Sequence, residues 1–316
     1  MQRKFAFLGL IVALTLLLGA CAPRTAAPTA TPQPTTTPAP LVLTDGLGRE
    51  VRLSEAAQRV VSLAPSNTEI LFAIGAGAQV VGRDEFSDYP AEVASLPSVG
   101  GSFGGYNNEA IVALHSDLVL AAEINTPEQV DTLASLGLTV YYLANPHDME
   151  GLYQNLATVA QLTGHSQQAE TLIASLKARV AAVTEKIAPL SYQPAVYYEL
   201  DATDPNAPYT AGKGTFVDML INMAGGWNVG SVLDSPWAQI SAEELVAQNP
   251  QIIILGDAAY GTTPEAVKAR PGWESLDAVQ NDRIYPFDDN LVSRPGPRLV
   301  DGLETLARLL HPEVFK

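Results

Sequence analysis

One cysteine, Cys21, stands among 316 residues, so no internal disulfide can form and no cysteine cluster can hold a metal. Basic residues are scarce as well. Without Arg3 and Lys4 of the amino-terminal segment, 16 basic side chains face 34 acidic ones, a net charge of −18. That balance disfavours phosphate backbones and anionic lipid heads, which argues against nucleic acid as a partner. Catalytic signatures are missing too. No paired spacing of His115, His147, His165 and His311 makes a metal nest or sets up a catalytic base. Ala211-Gly-Lys-Gly-Thr215 lacks the leading glycine and the hydroxyl residue directly after lysine that a phosphate loop requires. It reads as a tight turn feeding a helix, with backbone N–H groups available to a ligand's polar edge. These absences predict a protein that is not an enzyme and carries no cofactor or metal. A secreted metal-dependent or hydrolytic enzyme is the rival reading, and turnover or bound zinc would reveal it.

What is present begins at the amino terminus. Residues 1–20 combine a basic start with an apolar run from Phe5 to Leu18, the pattern of an export signal. Leu18-Gly-Ala-Cys21 resembles the bacterial lipoprotein box, which makes Cys21 the expected lipidation site. Residues 21–40 are Pro, Thr and Ala with almost nothing to bury, and they read as a tether.

Beyond the tether two segments match. Glu109-Ala-Ile-Val-Ala-Leu-His-Ser-Asp-Leu-Val-Leu and Glu243-Glu-Leu-Val-Ala-Gln-Asn-Pro-Gln-Ile-Ile-Ile each read as a short capped helix entering a buried strand, with Asn107 and Ser241 as caps. The repetition predicts an α/β fold class, two similar α/β lobes joined by a single long helix. In the first lobe, 41–147, Arg59 to Ala64 is a strand, and Ser66 to Glu69 a capping box for a helix over 70–74. A helical segment follows over 148–190. There Ala169, Leu172, Ile173, Leu176, Val180, Val183 and Ile187 form one stripe after a Ser166 cap, a rod of about 33 Å that limits lobe closure. The second lobe, 191–316, repeats the alternation of strand and helix, and a ligand cleft is expected at the strands' carboxyl ends.

Aromatic residues recur in loops, and Phe103, Tyr106 and Trp237, set among Gly, Ser and Pro, suit a large, partly apolar ligand. Five blocks extend the pattern: Arg59-Val-Val-Ser-Leu-Ala-Pro-Ser-Asn-Thr-Glu69, Phe86-Ser-Asp-Tyr-Pro90, Asn108-Glu109, Pro236-Trp237 and Ser293-Arg-Pro-Gly-Pro-Arg298. Together, from about Val51 to Pro312, the chain resembles the substrate-binding lipoproteins of ABC importers for vitamin B12 and ferric siderophores, nearest the cobalamin-binding branch. The resemblance implies a helical-backbone periplasmic-binding-protein architecture. It also implies an extracytoplasmic monomer, lipid-anchored through Cys21, serving an ABC permease dimer with its ATPase subunits. Capture of cobalamin or a related corrinoid is implied, with a ferric siderophore or heme as alternatives. By the same resemblance Glu109 and Glu243 dock onto the permease. Phe86, Phe103 and Trp237 form an aromatic wall, and Asn290 and Arg294 a polar floor. Two further aromatic positions of the branch fall on Ala122 and Leu200, and an acid falls on Asn290.

Overall fold

The computed structural model describes residues 40–101 and 105–315; the expected signal, Cys21, the tether and Phe103 lie outside them. A short antiparallel hairpin opens the described chain, β1 (Leu41–Thr44) with β2 (Glu50–Leu53). Asp45 closes it by accepting from the backbone N–H groups of Leu47 and Arg49 at 3.0 and 2.9 Å. Four parallel strands follow, β3 (Val60–Ser62), β4 (Val80–Arg83), β5 (Leu118–Ala122) and β6 (Val140–Leu143), in the order β4-β3-β5-β6. Every residue of β5 and β6 is buried, because a parallel sheet packs helices on both faces and needs continuous apolar strands.

The second sheet is built on the same plan. Here β9 (Trp227–Asn228), β7 (Ala195–Asp201), β11 (Ile252–Leu255) and β12 (Ile284–Pro286) lie side by side and parallel, matching β4, β3, β5 and β6 in turn. Two antiparallel strands, β8 (Tyr209–Ala211) and β10 (Trp237–Gln239), extend it beyond β7. Ahead of the matching strands stand matching helices, α2 (Asn108–Ala113) before β5 and α7 (Ala242–Gln248) before β11. Between α2 and α7 in the chain come α3 (Pro127–Ser135), α4 (Met149–Thr163), α5 (Ser166–Ile187) and α6 (Phe216–Met223). After them come α8 (Pro264–Lys268), α9 (Asp277–Gln280), α10 (Asn290–Ser293) and α11 (Leu299–Leu310).

The linking helix is α5. Ala169, Leu176 and Val183, seven residues apart, are buried along it, and Leu172, Ile173, Val180 and Ile187 flank them half-buried. It packs on α4 of the first lobe and α11 of the second, and one continuous apolar core runs through this layer between the inner faces of both sheets. Each outer face has a separate core. Arg179 of α5 also reaches Asp301 and Glu304 of α11 at 2.6 and 2.9 Å.

Two local expectations are corrected. The first helix, α1 (Pro65–Ala73), begins at Pro65 behind an uncapped Ala64, so Ser66 and Glu69 are helical residues and form no capping box. Proline fixes the backbone for the first helical turn. The second correction concerns α5, whose cap position is His165 with no side-chain bond, and Ser166 is its first residue.

Candidate functional site

Both sheets end their parallel strands at the same side, and two hollows lie there. The first holds about 250 Å³. Ala64, Pro65 and Ser66 follow β3 into it, Phe86 follows β4, Ala122 and Ile124 close β5, and Asn145 follows β6. Phe216, Ser293, Arg294 and Pro295 supply its far wall from the second lobe, so the hollow is a true inter-lobe cleft. The second hollow, about 410 Å³, occupies the equivalent place on the second sheet, where Leu200 to Thr203 end β7 and Asp257, Tyr260 and Thr262 follow β11.

The expected wall residues separate into two groups. Phe86 is 50% exposed at the first hollow, Leu200 is half-buried at the second, and Trp237 is 47% exposed with its ring 5.8 Å from that of Phe216. These large apolar faces are open to a ligand. Tyr106 departs from expectation. Its hydroxyl donates to Leu63 O at 2.7 Å and accepts from Asn125 Nδ2 at 2.8 Å, and burial pushes its pKa up to about 12. It is a pillar of the first lobe and belongs to neither cleft hollow. Asn290 is likewise engaged locally, its side-chain amide donating to Asp288 Oδ1 at 2.9 Å.

Arg294 does more than line a floor. Its guanidinium donates to Glu69 Oε1 at 3.2 Å, Asp88 Oδ1 at 2.6 Å and Phe86 O at 3.3 Å, all in the other lobe. Arg298 joins it, donating to both Glu69 oxygens at 2.8 and 2.5 Å while lying 4.1 Å over the Tyr89 ring. The Glu69 side chain is 1% exposed, so two arginines of one lobe share a buried carboxylate of the other. Burial pulls the Asp88 carboxyl upward, but Arg294 outweighs it and holds the group below its usual range. Beneath this latch Asp84, Ser87, Thr68 and Ser62 form a buried polar chain, and burial raises the Asp84 carboxyl.

The turn over 211–214 is also corrected. Gly212 N–H donates to Pro236 O at 2.7 Å and Gly214 N–H to Asp218 Oδ2 at 3.1 Å, so neither is available to a ligand. A Cβ at Gly212 would meet Ser235 O at 2.3 Å, which is why glycine stands there: the turn presses against the strand that carries Trp237.

Glu109 and Glu243 are both exposed, each in the first turn of its short helix, nine residues ahead of Leu118 and Ile252 where the matching strands begin. Asn107 accepts from Ala110 N–H and Ser241 from Glu244 N–H, so the caps are equivalent. One turn on, Val112 and Val246 are 39% and 38% exposed. Three cleft residues were not anticipated: Ile124, 68% exposed, Tyr260, 92% exposed, and Phe216. A large apolar or aromatic residue in the segment that follows an unbroken apolar strand was the signal that could have found the first two. Among the described residues no three His, Cys, Asp or Glu side chains converge as metal ligands, and no helix is long and apolar enough to cross a membrane.

Known proteins share this fold. The chain is 33% identical to an uncharacterized ABC transporter substrate-binding lipoprotein, YvrC, of Bacillus subtilis (strain 168), over 88% of this chain and 87% of that one. It is 29% identical to a cobalamin-binding protein of Halobacterium salinarum, over 98% and 85%. A periplasmic heme-binding protein of Roseiflexus sp. RS-1, solved in apo form, superimposes with a TM-score of 0.73 at 28% identity, covering 82% of this chain and all of that one. The family model described as periplasmic binding protein matches residues 60–291, and the chain belongs to that family.

Proposed function

We propose that this protein captures cobalamin or a related corrinoid in the inter-lobe cleft outside the cytoplasm and delivers it to the permease dimer of an ABC importer, tethered to the membrane through a lipidated Cys21. The segmentation into signal (1–20), tether (21–40), two lobes and a helical link belongs to the same proposal. The observation that carries it is the duplication. Each lobe sets one exposed acid, Glu109 or Glu243, at the same offset before the same strand, with an exposed valine one turn later. Glu109 also borders a shallow apolar hollow with Val112, Ala113 and Leu136. A two-fold symmetric partner with a cation beside an apolar contact in each half would meet both patches at once.

The corrinoid reading draws on the cobalamin-binding relative and on the open apolar faces of Phe86, Ile124, Phe216 and Trp237. The heme-binding neighbour favours heme as the second reading. Titrating the domain without its first forty residues with cyanocobalamin, cobinamide, heme and ferric siderophores, read by tryptophan quenching, tests the ligand. Saturable quenching by the corrinoids is expected, and quenching by heme alone would replace the first reading with the second.

A further inference from the structure

The two hollows differ in how their acids are satisfied. Around the first, Glu69 and Asp88 are matched by Arg294 and Arg298, and buried Asp84 accepts from Phe86 N–H and Ser87 Oγ. The second hollow has exposed Asp201 at the end of β7 and Asp257, only 6% exposed, directly after β11. Thr262 Oγ1 donates to Asp257 Oδ2 at 2.7 Å, and Asp257 Oδ1 has no partner. A buried acceptor left unpaired is costly, and native folds rarely keep one without a use. The nearby cation is already engaged, because Arg270 grips both oxygens of buried Glu199 at 2.5 and 2.8 Å. Glu199, Asp257 and Arg270 thus leave one carboxylate in excess at the floor of the hollow. Among the described residues no third His, Cys, Asp or Glu joins the two aspartates as a metal-ligating group.

We infer that Asp257, with Asp201 at the rim, is an acceptor subsite for N–H donors on the edge of the ligand, so that the cleft selects amide-bearing rims over carboxylate-bearing ones. Leu200 and Tyr260 flank the aspartates and offer apolar area to the body of the same ligand. An amide edge supplies the missing donor, whereas a carboxylate edge meets like charge in a partly desolvated site. This inference rests on the cleft's being the ligand site.

Two matched pairs of probes test it: cyanocobalamin with its peripheral monocarboxylate, and hemin diamide with hemin. In the pair that binds, the amide member is expected to bind tighter by about tenfold or more, and Asp257→Asn to reduce the ratio to about twofold. Asp201→Asn, at an exposed position where folding is not at risk, should remove part of the ratio and keeps the test decisive if Asp257→Asn folds poorly. Binding with a ratio near one in the unaltered protein, or ratios unchanged in both variants, would overturn the subsite and leave the cleft reading standing. If neither pair binds at all, both readings fall.

Discussion

In the first lobe one buried carboxylate, Glu69, reaches across to two arginines of the second lobe, whereas in the second lobe the buried carboxylate of Glu199 is satisfied by Arg270 within its own fold. The sheets beneath them share one order of parallel strands, so the difference lies in what was added to a common half. The shared part sets the exposed acids Glu109 and Glu243. The unshared parts make the latch, the antiparallel extension bearing Trp237, and the acidic hollow. Equivalence thus belongs to the face we propose for a two-fold partner, and asymmetry to the face we propose for the ligand.

The latch gives the largest expected effect. Glu69→Ala leaves Arg298 without its carboxylate and Arg294 with Asp88 alone, and should cost about 3–5 kcal/mol in urea unfolding, with an increased radius of gyration by small-angle scattering. Glu199→Ala should cost a similar amount. Its effect should stay inside the second lobe, as faster hydrogen exchange in β7 and β11 with lobe separation unchanged. Equal lobe separation in both variants would remove the contrast.

Next comes the ligand wall. Trp237→Ala should weaken ligand binding by about tenfold or more, because a large ring loses its buried contact. Trp227 pairs with Ala195 at the opposite end of β7, so Trp227→Ala should leave affinity unchanged. Loss of affinity in both would move the cleft.

The helix caps probe the equivalence directly. Asn107→Ala and Ser241→Ala should each cost about 1 kcal/mol. A markedly unequal pair of values would mean that the two halves hold their acids differently.

Much of this plan was legible in the sequence, and the reasons are physical. The buried strands β5 and β11 announce themselves as unbroken apolar runs, and the α5 stripe repeats at helical spacing. Caps such as Asn107 and Ser241 are local chemistry, readable within four residues. The latch was not legible, because Glu69 and Arg298 are far apart in the chain and only the packing of the lobes brings them together. Glu69 in fact misled, since Ser-x-x-Glu is also the pattern of a capping box. Tyr106 misled in the same way: its loop is rich in glycine, yet the hydroxyl points to Leu63 and Asn125. Strands β8, β9 and β10 are two or three residues long, too short for periodicity to register.

The smallest effect is one of pH. The Arg179 guanidinium, hydrogen-bonded to Glu304, holds that carboxyl below its usual value of 4.5 despite partial burial. A depressed acid stabilises the fold above its unfolded pKa, and the contribution is lost as pH falls through the lower folded value. The melting temperature of Glu304→Gln should therefore decline less steeply than that of the parent below about pH 4.5. Parallel acid limbs would show that the Arg179–Glu304 pair contributes nothing.

The proposed docking face is tested most directly by uptake set against affinity. Ligand uptake by cells carrying Glu109→Ala, Glu243→Ala or both should fall in each single variant and vanish in the double, while the purified variants bind ligand as the parent does. Uptake retained by the double variant, or lost in proportion to binding, would contradict it.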